Sequence, residues 1–324
     1  MPTHRFAITV LMVSLLGTDA CASHSMRGSL EAQPTEAPVV VADLQQVVDT
    51  TFTRSEPAFT LESTSHAGAE AALASLASTM NEFSAMFGEK PPAIAVVIID
   101  SMDPARPLPT PAVDGVPTIT VMSSGLSEAS DSSARISFQR SLTVMASETW
   151  VAEYASRWAV PRQAAGGVVV PSEPTLPDWV YAASVHLLAN EQAYQQATTT
   201  LRAHPAEIMP LSELFAYHVP ETSDDDLEEF LADLSIGALS RSQFREDVSP
   251  PRRETAMFLA QATSVYEYLR DVKRLDVGEG LIAPLMSGHD MTDVVKGAGL
   301  SLTMESLEAG WRHWALKTTP LDQL

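Results

Sequence analysis

The sequence contains a single cysteine, Cys21, and this limits how the chain can be stabilised. No disulfide can form within one chain, and no cysteine-based zinc site can be built. The fold must therefore depend on its hydrophobic core alone. With 324 residues, of which 45% are hydrophobic, the chain is large enough for one large domain or two modest ones.

The chain is strongly acidic, with a formal net charge of -21 from 41 acidic and 20 basic residues. Such a surface repels the phosphate backbone of nucleic acids, so the charge argues against nucleic acid as a partner. It also repels anionic lipid headgroups, which argues against attachment to a membrane through a basic patch.

The first residues have the pattern of an export signal. The uncharged apolar run 6–17 is too short to cross a bilayer, which needs about 20 apolar residues, but it has the length of a signal-peptide core. We predict a signal peptide over residues 1–22 and a periplasmic or membrane-anchored location. Two processing outcomes remain open: cleavage around Ala22 to give a chain starting near Ser23, or lipidation of Cys21 as in bacterial lipoproteins. A lipid on Cys21 is the only membrane contact that we expect.

The remaining chain divides by its pattern of apolar residues. Residues 23–50 are rich in Ser, Ala, Pro and Glu, which is typical of a flexible tether. Residues 51–130 predict a small α/β subdomain, with strands at Phe59–Thr64, Ala93–Ile99 and Thr118–Met122 and a helix from Ala67 to Phe87 that ends at Gly88.

Residues 131–324 predict a mainly helical subdomain. We expect a long helix over 132–159 and a helix that opens at Pro177, followed by shorter helices near 211–217, 225–234, 253–273 and 303–316. The predicted fold class is therefore α+β, with a small N-terminal α/β layer followed by a helical half.

Four short patterns in the helical half occur in a recognisable order. They are Leu176-Pro177-Asp178-Trp179, Pro210-Leu211-Ser212-Glu213-Leu214-Phe215, the segment from Gln261 to Leu269, and the segment from Leu307 to Trp314. Together with the α/β start, this order resembles the gluzincin-type, peptidase-MA-like zinc metallopeptidases of bacterial envelopes. The resemblance covers about residues 59–316 and implies a metallopeptidase-like fold for the helical half.

The resemblance also implies where the zinc site would lie. In such enzymes two histidines at i and i+4 on one helix bind zinc, a glutamate between them is the general base, and the third ligand is a glutamate on the next helix. Here the histidine positions hold Ser147 and Val151, and the third ligand position holds Ala182. Only Glu148, at the position of the general base, is retained, so we interpret it as a relic. These degenerate positions predict no metal and no other cofactor.

We therefore predict a non-catalytic homologue of these peptidases that binds a peptide or an envelope protein in the former cleft. Trp150 and His186 are further candidates for cleft residues. Two alternatives remain open: a metal-free, hydrolase-like enzyme with a remodelled site around Glu148 and His186, and a structural lipoprotein. An open cleft lined by apolar side chains would favour binding, a strongly perturbed Glu148 beside His186 would favour the enzyme, and a cleft filled by side chains would favour the structural role.

Overall fold

The computed structural model describes residues 52–99, 115–123, 132–159, 176–218, 250–298 and 303–317. The predicted signal peptide, the tether, Cys21 and the predicted helix at 225–234 lie outside these residues. The described part is mostly helical, with a small mixed sheet near its N-terminal end. The α+β class is confirmed at this level.

The sheet has four strands in the order β1 to β4: Phe52–Glu56, Phe59–Ser63, Ile94–Ile99 and Thr118–Met122. β1 is antiparallel to β2, whereas β2, β3 and β4 run parallel. Every residue of β3 is buried, as its unbroken run of apolar residues predicts for a central strand. The sequence predicted β2, β3 and β4, and it missed the edge strand β1, which is largely exposed.

Two long helices, α1 (His66–Phe87) and α2 (Ser132–Ser156), pack on each other and on the sheet. The Ser65 hydroxyl accepts from the Gly68 amide at the start of α1, and Gly88 ends it with a φ of 73°. The Gln139 side chain donates to the Ala71 carbonyl near one end, and Arg157 donates to Glu89 at the other. Because both contacts join residues 68 positions apart, the two helices run parallel.

The remaining elements form the helical half. In chain order they are α3 (Asp178–Ala189), α4 (Ala193–Ala203), a 3₁₀ turn (Pro205–Glu207), α5 (Leu211–Ala216), α6 (Pro250–Glu267), two π-helical segments (Tyr268–Val272 and Val277–Ile282), α7 (Ala283–Met286), α8 (Met291–Gly297) and α9 (Met304–Ala315). The sequence predicted α3, α5, α6 and α9, whereas α4, α7 and α8 were not predicted.

The centre of the helical half is α6, and burial is uninterrupted from Ala256 in this helix to Leu269 in the π-helical segment that follows it. It packs against α3 and α4, and α3 in turn packs against α2, so the core runs continuously from the sheet into the helical half. Within the described residues, none of the helices has both the length and the apolar character to cross a membrane.

Candidate functional site

Helix α2 carries three of the positions that the sequence singled out. Ser147 and Val151 are completely buried, with 0% of their surface exposed, and Glu148 between them is half-buried. Trp150 is also completely buried, with its ring centroid 6.2 Å from that of Phe83 on α1. The cleft that we expected is therefore closed at Ser147 and Val151, and Trp150 belongs to the core between α1 and α2 rather than to a cleft surface.

Helix α3 carries the other two positions, Ala182 and His186, and it packs directly against α2. Ala182 is half-buried against the core. His186 is only 5% exposed, and its Nδ1 lies 2.9 Å from Thr263 Oγ1 on α6. Burial lowers the pKa of His186 from its ordinary value of 6.5 to about 4, so the imidazole is neutral near pH 7. This histidine is a buried contact between α3 and α6.

The polar groups at these helix contacts do not form a metal centre. In the segments that the structure describes, no group of three or more His, Cys, Asp or Glu side chains could hold a metal ion. The hydroxyl of Ser147 and the alkyl groups of Val151 and Ala182 supply none of the three ligands that a catalytic zinc requires. The residues at these positions therefore do not fit zinc.

A groove of about 520 Å³ lies beside the closed cleft, between α1, α2 and the turn from α3 to α4. This volume is within the range of about 300–1,000 Å³ that is typical of ligand sites. Its lining is mainly hydroxyl, amide and charged side chains, together with Ile136, which is 51% exposed. The lining residues are Ser75, Ser78, Thr79, Glu82, Ile136, Gln139, Arg140, Thr143, Leu188, Ala189, Asn190, Glu191, Gln192 and Gln196.

The groove follows regular stripes on two parallel helices. Its residues on α1 (75, 78, 79 and 82) and on α2 (136, 139, 140 and 143) both have the spacing i, i+3, i+4 and i+7, which places each set on one helix face. Thr143 is one helical turn before Ser147, and Ala189 is one turn after His186. The groove therefore lies one helical turn from Ser147 on α2 and one turn from His186 on α3.

Sequence reasoning did not find this groove, although a signal for it exists. The face of α1 that carries Ser75, Ser78, Thr79 and Glu82 is a polar stripe on a helix that is otherwise rich in Ala, Leu, Met and Phe. On α2, Gln139, Arg140 and Thr143 continue a stripe of the same spacing that begins at the apolar Ile136. What the sequence lacks is the information that the two stripes face the same space.

Residues in three of the four sequence patterns that resemble zinc metallopeptidases join neighbouring helices. The Gln261 side chain donates to the Met209 carbonyl at 2.7 Å and accepts from the Met209 amide at 3.1 Å, which ties α6 to the segment before α5. Glu308 on α9 accepts from the Leu211 amide at the start of α5 and from Arg312. These residues therefore position helices.

A cluster of charged residues follows α6, where the chain enters the first π-helical segment. Glu267 is 7% exposed and accepts from Arg270 at 2.9 Å, and Arg270 also donates to Asp271 at 2.8 Å. Burial, together with the neighbouring Asp271, holds the pKa of Glu267 well above its ordinary value of 4.5. The pKa of Asp271 is lowered, although its burial acts in the opposite direction, because Arg270 and Glu267 hydrogen-bond to it.

Comparisons with known protein families, with curated proteins and with solved structures gave no match for this chain.

Proposed function

We propose that this protein is a non-catalytic homologue of envelope zinc metallopeptidases, and that it binds an extended polypeptide in the groove between α1, α2 and the α3–α4 turn. The observation that carries the proposal is the contrast between two neighbouring surfaces. The positions that would hold zinc, Ser147 and Val151, are completely buried in helix packing. One helical turn before Ser147, the same helix borders an accessible polar groove at Thr143.

The dimensions of the groove suit a short stretch of polypeptide. The stripe on α1 runs from Ser75 to Glu82, which is about 10 Å of helix axis and matches about three residues of extended chain. Hydroxyl and amide side chains can bond to the backbone N–H and C=O groups of such a chain without reading its sequence closely. The half-exposed Ile136 offers an apolar contact for one ligand side chain.

The two alternative functions have less support. A metal-free enzyme would need Glu148 and His186 to act on one substrate. His186 is buried, with its Nδ1 against Thr263 Oγ1, so a substrate has little access to it. A purely structural role fits the closed positions at Ser147 and Val151. It does not account for the polar groove.

Export to the periplasm or anchoring through Cys21 is part of the proposal, supported by the apolar run at residues 6–17. Mass spectrometry of the mature N-terminus tests it. A lipid on Cys21 indicates a lipoprotein and a start near Ser23 indicates a soluble periplasmic form, whereas an intact Met1 contradicts export.

Binding in the groove is tested with short unstructured peptides and a variant that fills the groove. Ser78 is exposed and lines the groove, whereas the neighbouring exposed Ala77 does not. We expect Ser78→Trp to weaken peptide binding by about tenfold or more, and Ala77→Trp to leave it within about twofold. Equal effects of the two variants, or no binding of any peptide to the unmodified protein, would contradict the proposed function.

A further inference from the structure

Several hydroxyl groups that line the groove already donate their hydrogen within the protein. The hydroxyls of Ser75, Thr79 and Thr143 donate to the carbonyls of Ala71, Ser75 and Gln139 in their own helices. A hydroxyl that has donated its hydrogen keeps its oxygen lone pairs, so toward a ligand it is an acceptor.

The amide side chains of the lining are only partly used within the protein. Gln139 uses one N–H on the Ala71 carbonyl, and Asn190 uses one N–H on the Gln196 carbonyl oxygen at 2.9 Å. The one arginine of the lining, Arg140, already has an interaction partner of its own. Each of these two amides keeps a second N–H, and the Asn190 Oδ1 accepts from the Gln192 backbone amide, so the excess of acceptors in the groove comes from its hydroxyls and carboxylates.

The charged side chains of the lining also favour a ligand that donates hydrogen bonds. Glu82 on α1 and Glu191 in the turn after α3 are both exposed, and both border the groove. They outnumber Arg140, the single basic residue of the lining. An incoming group that donates several hydrogen bonds and carries positive charge would satisfy the acceptors and both carboxylates.

We infer that the groove selects a ligand rich in hydrogen-bond donors and positive charge, namely a lysine- or arginine-bearing segment of an extended polypeptide. This inference rests on the proposed function, because it names the class of chain that the proposed groove binds. The aliphatic stem of a lysine or arginine can lie on Ile136 while its charged end reaches Glu82 or Glu191.

The test must separate binding in the groove from general attraction to a protein with a net charge of -21. We would measure, by calorimetry on the full chain, the affinity of three peptides of equal length that are rich in Lys, in Ser and Gln, or in Glu. The groove variant is Glu82→Gln with Glu191→Gln. The matched control is Glu70→Gln with Glu213→Gln, which removes the same charge at exposed positions outside the lining.

We expect the Lys-rich peptide to bind most tightly, and the groove variant to weaken that binding by about fivefold to tenfold while the control changes it by less than about twofold. Equal losses in the groove variant and the control would overturn the inference, because the attraction would then be general. If a Ser/Gln-rich or Glu-rich peptide binds more tightly than the Lys-rich one, and Ser78→Trp weakens that binding, the inference is overturned and the proposed function stands. Failure of all three peptides to bind would overturn both.

Discussion

The indole Nε1 of Trp311 donates a hydrogen bond to the hydroxyl of Ser264 at 3.1 Å, in the middle of the helical half. Trp311 lies on α9 and Ser264 on α6, and both side chains are completely buried. The contact joins two of the sequence patterns that suggested the peptidase resemblance. It fixes the last helix onto the central one, so these two patterns are coupled through packing.

Removing the acceptor of this bond should destabilise the protein. Ser264→Ala leaves the Trp311 N–H buried without a partner, which should lower the free energy of unfolding by about 1–3 kcal/mol. Urea denaturation measures the change, and Ser212→Ala at an exposed position of α5 is the control. If Ser264→Ala cost the same in a Trp311→Phe background, the hydrogen bond would not be the cause.

Acid should destabilise the protein through His186. Its folded-state pKa of about 4 is below its ordinary value of 6.5, so between these values the unfolded chain binds more protons than the folded one. Stability should therefore fall as the pH is lowered from about 6.5 to about 4, and the part due to His186 should be about 3 kcal/mol.

The variant His186→Gln tests this assignment, since it can keep a hydrogen bond to Thr263 and cannot titrate. It should flatten the loss of stability between pH 6.5 and 4. His289→Gln, which removes a surface histidine beside Asp293, should leave the loss unchanged. A His186→Gln protein with the full acid sensitivity would show that another group is responsible.

Glu267 should make the stability depend on pH in the opposite direction to His186. Because its folded-state pKa is raised above the ordinary 4.5, the folded protein holds a proton that the unfolded chain releases as the pH rises. The contribution of Glu267 is therefore fully present below about pH 4.5 and is lost as the pH rises toward and through its raised folded-state value.

Glu267→Gln keeps the shape of the protonated side chain and removes its titration. We expect this variant to be more stable than the unmodified protein near pH 8, and nearly equal to it near pH 4.5. Thermal unfolding at both pH values measures the difference, with Glu279→Gln as a control at an exposed position. Equal effects of Glu267→Gln at the two pH values would contradict a raised pKa.

Local sequence signals predicted much of the secondary structure. The strand Thr118–Met122 has the predicted bounds, and α1 begins and ends within one residue of its prediction because Ser65 caps it and Gly88 stops it. Helix α4 was not predicted, since its run of threonines has low helix propensity. Its buried residues Ala193, Ala197 and Leu201 pack it into the helical half, so tertiary contacts determine its structure.

The candidate site was harder to predict than the elements that carry it. The sequence placed Ser147 and Val151 on one helix and Ala182 on the next, and the structure has them on α2 and α3. It could not indicate that Ser147 and Val151 are sealed, because burial depends on how closely α2 and α3 approach. The groove depends in the same way on the alignment of two parallel helices, which their separate sequences do not specify.

The residues at the zinc positions should leave the protein without zinc and without peptidase activity. Catalysis in a zinc peptidase depends on the metal lowering the pKa of its bound water to about 7, from about 15.7 for bulk water. Glu148 alone cannot close that gap. We therefore expect the purified protein to contain no stoichiometric zinc and to cleave no peptide, as measured by elemental analysis and a protease assay.

Restoring the ligands extends this test. The variant with Ser147→His, Val151→His and Ala182→Glu regains the ligand types, but its two histidines enter positions that are 0% exposed. We expect each histidine to cost about 1–3 kcal/mol of stability through overpacking. Zinc should recover part of that loss, because binding to the folded state alone stabilises it. Tightly bound zinc in the unmodified protein, or cleavage that Glu148→Gln abolishes, would contradict a non-catalytic homologue.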